Sequence, residues 1–167
     1  MIISTDNIIE KKEIKSPILF LRKKTASPSD IQSFILKLQN IITLHNFEKN
    51  DEYFTCIYQN SSDMDNGILD IEIVQPLLSI NENSGYTVQN DFKLIDNYLF
   101  PSILSYTHYG NLELLGQLSK DLISYAEANN YKVNSPVYNR VITSPRSLAD
   151  MDLAVTELML YVDKDSD

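Results

Sequence analysis

The nonapeptide AVTELMLYV, Ala154 to Val162, is an apolar run interrupted by a single carboxylate, Glu157. Successive side chains of a strand point to opposite faces, so Val155, Glu157, Met159 and Tyr161 share one side while Ala154, Thr156, Leu158, Leu160 and Val162 share the other. The second side is apolar apart from a threonine. The first sets a carboxylate beside a valine and a methionine, with a tyrosine two places on, which is how an apolar pocket gains one polar anchor. The same spacing also describes a strand with one wet face, on which a lone glutamate has no role.

This strand closes a segment, Ser105 to Val162, that reads strand, helix, strand, loop, strand. Asn111 offers a cap for LELLGQLSKDLISYAEANN, a helix predicted over Leu112 to Asn129 with Leu115, Leu118, Leu122 and Ala126 on one stripe. Asn129-Asn130 ends it. Ser135 to Thr143 follows as a strand and Ser144 to Asp152 as a loop, and the tail DKDSD is expected to fray.

The first half runs in the same order. Ile8 to Ile14 is one strand candidate, and Ile18 to Lys24, starting after Pro17, is another. Ser27 is placed to cap, Pro28 suits a first helical turn and Asp30 suits its positive end. They predict a helix over Pro28 to Asn46 that buries Ile31, Phe34, Ile35, Leu38, Ile41 and Ile42. Strands follow at Tyr53 to Gln59 and Ile68 to Leu77, joined by the turn-forming NSSDMDNG. A polar connector, Asn81 to Gly85, and a strand near Phe92 to Phe100 lead past Pro101 into the second half.

Shifting one half by 85 residues lays Ile18-Leu19 on Ile103-Leu104 and Glu72 on Glu157, and a shift of 84 lays Phe47 on Tyr131. Order and coincidence together predict a duplication. The expected fold is α+β, one domain over residues 1–167 with two β-α-β-β repeats at about 8–78 and 86–162. A pseudo-two-fold would relate the repeats, with a mostly antiparallel sheet and two long helices. Glu72 and Glu157 would then take related positions about a shared cleft.

Composition narrows the function. A chain of 167 residues buries about two-thirds of its unfolded surface. With Cys56 its one cysteine, and His45 and His108 in separate segments, neither a disulfide nor a Cys-based zinc site fits, and no metal or other cofactor is expected. Cys56 and His108 read as a buried strand residue and a turn residue. The N-terminus lacks a signal-peptide core and no segment is apolar enough to span a membrane, so a soluble, cytoplasmic protein is expected. The formal charge of −9 argues against direct nucleic-acid binding, the one basic cluster being Arg22, Lys23 and Lys24. It suits attraction of organic cations, and equally plain solubility.

The residues YTHYGNLELLGQLSKDLISYAEANNYKVNSPVYNRVITSP, Tyr106 to Pro145, with VTELMLYV, Val155 to Val162, resemble the GyrI-like effector-binding domain. That bacterial domain occurs alone and as the ligand-binding part of MerR-type and AraC-type multidrug-responsive transcription regulators. The matching features are a His-x-Gly turn (His108, Gly110), a helix exit at Asn129-Asn130-Tyr131, Pro136 and Tyr138 in the next strand, and Thr156-Glu157 in the last. Asp70 to Leu77 is similar to the corresponding strand of the first half. The likeness runs from about Ile8 to Val162. Where the family commonly has Gly-Pro-Tyr, this chain has Gly110-Asn111-Leu112, and it contains no Trp.

The resemblance implies repeats of the SHS2 type and a cleft for amphipathic, often cationic, aromatic molecules. It implies Glu157 as the charged anchor and Tyr138 as a wall; Tyr106 and Met159 are expected as further walls, and Glu72, from its relation to Glu157 by the shift of 85, as a further contact. A stand-alone binding domain is therefore expected, with any role in transcription indirect because no DNA-binding domain precedes Ile8. Some stand-alone relatives look like hydrolases of reactive electrophiles, in which Glu157 would activate water, and others like modulators of DNA topoisomerase. An apolar surround would raise the pKa of Glu157, and a bound cation would lower it again.

Overall fold

The computed structural model describes residues 1–80, 85–143 and 153–164. The loop expected over Ser144 to Asp152 and most of the connector expected over Asn81 to Gly85 lie outside them. A 3-10 turn at Thr5–Asn7 precedes β1 (Ile9–Lys11), β2 (Ile14–Thr25), α1 (Ser29–Leu44), β3 (Glu48–Lys49), β4 (Phe54–Tyr58) and α2 (Ser61–Asp65). Then come β5 (Leu69–Ser79), β6 (Lys93–Phe100), β7 (Ser102–Tyr109), a 3-10 turn at Leu112–Leu114, α3 (Leu115–Ala128), β8 (Tyr131–Thr143) and β9 (Val155–Lys164). The protein is α+β, with antiparallel strands and two long helices, α1 and α3.

Two compact units separate, residues 15–99 and the segments 1–14 with 100–167. In the unit of residues 15–99, the strands lie in the order β4-β5-β2-β6, and β3 adds to β5. α1 lays Phe34, Ile35, Leu38 and Ile41 on Leu19 and Leu21 of β2 and Ile71, Ile73 and Leu77 of β5. Ile31 and Ile42 pack at the margin, so all six residues assigned to the buried side meet this core. On the opposite face the register stacks Phe20, Val74 and Phe54, then Arg22, Glu72 and Cys56, then Lys24, Asp70 and Tyr58.

In the other unit the order is β1-β7-β9-β8. Leu118, Leu122 and Ala126 of α3 pack on Leu104 of β7 and Leu158, Leu160 and Val162 of β9. Leu115 joins them at the edge. The face of β9 turned from α3 carries Glu157, Met159 and Tyr161, the alternation expected from sequence.

Each unit is thus a strand, a helix and two strands, with the last strand in the middle, antiparallel to both others. Glu72 of β5 sits between Arg22 and Cys56, and Glu157 of β9 sits between Thr107 and Arg140, the same node of the pattern. Both helices also end alike. Asn46 follows α1 with φ 53° and Asn130 follows α3 with φ 64°, the left-handed stop that asparagine tolerates. Phe47 and Tyr131 come next, each against its own unit's core.

Local chemistry departs from expectation at three places. Ser27 is not the side-chain cap of α1, because Pro28 already has helical angles and the Ser27 carbonyl accepts from Asp30 N at 3.0 Å. Ser27 Oγ instead pairs with Ser29 Oγ at 2.7 Å. Within NSSDMDNG, Asn60 accepts from the N–H groups of Ser62 and Asp63 at 3.0 and 3.3 Å and starts the short helix α2, where only a turn was expected. Of the tail, Asp163 and Lys164 are held in β9 opposite Lys132 and Tyr131. Asn111 caps as expected, accepting from Glu113 N at 2.9 Å, and the first turn it caps is 3-10.

Candidate functional site

The helix-free face of β7, β8 and β9 is built by pairing. The register sets Ser105 and Tyr138 on either side of Met159, and Thr107 and Arg140 on either side of Glu157. β1 adds a fourth strand by pairing Ile9, Glu10 and Lys11 with Ser105, Leu104 and Ile103. Ile103 lies opposite Tyr161, so Lys11 belongs to the same face as Glu157.

Glu157 is 5% exposed, and both its oxygens are held. Arg140 Nη1 donates to Oε1 at 2.8 Å, while Lys11 Nζ and Ser105 Oγ donate to Oε2 at 2.6 and 2.5 Å. Arg140 is as buried as Glu157, whereas the Lys11 side chain is 47% exposed. Burial pushes the Glu157 carboxyl up, but hydrogen bonds from Lys11 and Ser105 and the charges of Lys11 and Arg140 outweigh it and leave it below the usual carboxylate range. This corrects the expected rise. The surround is not apolar, because the protein supplies the cations itself.

Beside the carboxylate lies apolar and aromatic area. Tyr138 is fully buried, and its ring lies 4.7 Å from that of Tyr161, tilted by 33°. Met159 is also buried and shares their face. Glu157, Tyr138 and Met159 are therefore brought together. Tyr106 is not with them: it pairs with Leu158 and packs on the helix-covered core, because an odd offset from Ser105 puts it on the other face.

Glu72 occupies the equivalent node of its own unit, on the face turned from α1. Tyr58 Oη donates to its Oε1 at 2.8 Å. Arg22 stacks 3.7 Å from the centre of the Tyr58 ring and donates to both oxygens of Asp70, at 3.2 and 3.0 Å. His108, expected in a turn, lies near the end of β7 opposite Thr156, its Nε2 2.8 Å from the carbonyl of Asn111 in the turn that follows, and Cys56 is buried.

Lys11, Ser105 and Arg140 escaped the sequence reading. Arg140 follows Tyr138 by two residues in VYNRV, so alternation alone puts both on one face. Lys11 carries no such signal, since its place depends on pairing across more than ninety residues.

No family model and no curated protein matches the chain. Solved structures do. An uncharacterised conserved protein from Listeria innocua aligns with a TM-score of 0.70 at 12% identity, over 94% of this chain and 92% of that one. The C-terminal domain of EcmrR aligns with a TM-score of 0.65 at 15% identity, over 95% and 96%. The fold is that of a GyrI-like effector-binding domain. In a complex of EcmrR with DNA the match has a TM-score of 0.66 at 16% identity and covers 95% of this chain but 59% of the EcmrR chain. The chain also aligns with a structure described as a hydrolase from Listeria innocua, with a TM-score of 0.68, at 11% identity and over 94% and 92%. SAV2435 bound to tetraphenylphosphonium aligns with a TM-score of 0.50 at 10% identity, over 93% and 92%. Among the described residues, no helix is long and apolar enough to cross a membrane.

Proposed function

We propose that this chain is a small-molecule-binding module whose ligand is an amphipathic organic cation carrying an aromatic group. The observation that carries the reading is the buried Glu157 beside Tyr138, Tyr161 and Met159. A carboxylate costs several kcal/mol to desolvate, roughly, and lasts in such a place only where cations meet it. A ligand cation takes its charge to Glu157 and lays its ring against the tyrosines, each such contact worth about 0.5–2 kcal/mol. The fold shared with SAV2435, which is bound to tetraphenylphosphonium, supports this class of ligand.

Thermal-shift titration with tetraphenylphosphonium against neutral triphenylphosphine oxide tests it. Cation at about 100 times its dissociation constant raises apparent stability by about 2.7 kcal/mol, and the oxide raises it less. Equal shifts, or none with either, count against the reading.

A hydrolase is the second reading, favoured by Ser105 Oγ lying 2.5 Å from Glu157 Oε2. Against it stands a carboxylate holding two cations below its usual pKa, which is a weak base. Repeated turnover of an activated aryl ester that is lost in Ser105→Ala would favour it over binding alone. The third possibility, a modulator of a DNA topoisomerase, would show as stable capture of that enzyme without any small molecule.

A further inference from the structure

Glu157 does not wait for a cation, because Lys11 already supplies one. Its ammonium donates to Oε2 at 2.6 Å, with the charge and the hydrogen bond that an aminated ligand would bring. Of the two basic residues on this carboxylate, only Lys11 is built to leave. Arg140 is pinned in β8, its side chain 8% exposed, within the run Val137 to Val141 that pairs continuously with β9. The Lys11 side chain is 47% exposed and ends β1, a three-residue edge strand with every residue exposed and only β7 beside it in its unit. Short, exposed edge segments open at the least cost in free energy.

We propose that Lys11 is an affinity-setting residue of the site, a tethered competitor that a ligand's cation must displace. This deepens the binding reading above and rests on it. Exchange of one ammonium for another leaves the charge around Glu157 unchanged, whereas a neutral ligand that expelled Lys11 would leave the carboxylate one cation short. Lys11 therefore weakens every ligand that must expel it by the same factor, and the preference for a cation over a neutral aromatic comes from Glu157 itself. It also sharpens the ligand class. A protonated amine restores both the charge and the hydrogen bond to Oε2, while a quaternary or phosphonium cation restores the charge alone.

Calorimetric titration of 1-naphthylmethylammonium, tetraphenylphosphonium and neutral 1-naphthylmethanol into the wild type, Lys11→Met and Lys11→Arg provides the test. Lys11→Met should bind both cations about tenfold more tightly, that being the weight of one charge-assisted hydrogen bond. Lys11→Arg, which keeps the competitor, should stay near the wild type, and Lys11→Gln serves as a second neutral variant. Cation affinities equal in wild type and Lys11→Met, or weaker in Lys11→Met, overturn the role of Lys11 and leave the binding reading standing. Absence of cation binding in all the proteins overturns both.

Discussion

Glu157 shows how much a single residue is decided by partners that sequence alone does not reveal. Alternation in AVTELMLYV places it on the same face as Met159 and Tyr161, and the structure agrees. Its ionisation is set by Lys11, Ser105 and Arg140, two of them on other strands' middles and one on a distant edge. Glu157→Gln takes from the buried Arg140 the carboxylate it pairs with, so it should lose about 3–5 kcal/mol in urea denaturation. A loss under about 1 kcal/mol would show that the ion pairs are not formed in solution. The pH dependence has a definite sign. The folded carboxyl titrates below its ordinary value, so its contribution is fully present above the unfolded pKa and fades as pH falls through the folded one. Denaturation midpoints between pH 7 and pH 2 should therefore fall more steeply on the acid side in the wild type than in Glu157→Gln.

At the scale of elements, the stripes of α1 and α3 were legible because each has a whole face to bury, and the three-and-four spacing records it. Leu38 and Leu122 lie fully buried at the centres of the two helix contacts. Leu38→Ala and Leu122→Ala should each cost about 2–5 kcal/mol, and a smaller loss in either would mean that its helix packs less closely than described. Of the edge elements, β1 and β6 were legible as the strand candidates Ile8 to Ile14 and Phe92 to Phe100, but their partners were not. β3 is too short for any period, and the pairing of β1 with β7 is a tertiary choice. One device holds the N-terminal segment in place: Asp121 of α3 accepts from Ile2 N at 2.6 Å and Ile3 N at 3.1 Å. The Ile2 bond, above all, keeps its carboxyl below the usual range. Asp121→Asn should speed hydrogen exchange at Ile2 and Ile3 by about tenfold, the loss of one charged acceptor. Unchanged protection would remove Asp121 from this role.

For the whole molecule, the order strand, helix, strand, strand was legible twice in the sequence, and the last strand of each unit is the central one. The register of each sheet, taken alone, sets Glu72 and Glu157 at one node, which few identities in sequence hinted at. The overall charge of −9 sets a further expectation. Duplex DNA should not be retarded by this chain at about 0.15 M salt, because phosphate contacts supply most non-specific affinity; retardation that weakens with salt would contradict it. The central claim is that a small organic cation is bound at the helix-free face of β7, β8 and β9. A nuclear magnetic resonance titration of the intact protein with tetraphenylphosphonium tests it most directly and needs no variant that risks unfolding. The account predicts shifts that saturate and centre on Ser105, Tyr138, Arg140, Glu157 and Met159, with the Glu157 carboxyl carbon among the largest. Saturating shifts centred elsewhere, or none, would contradict it.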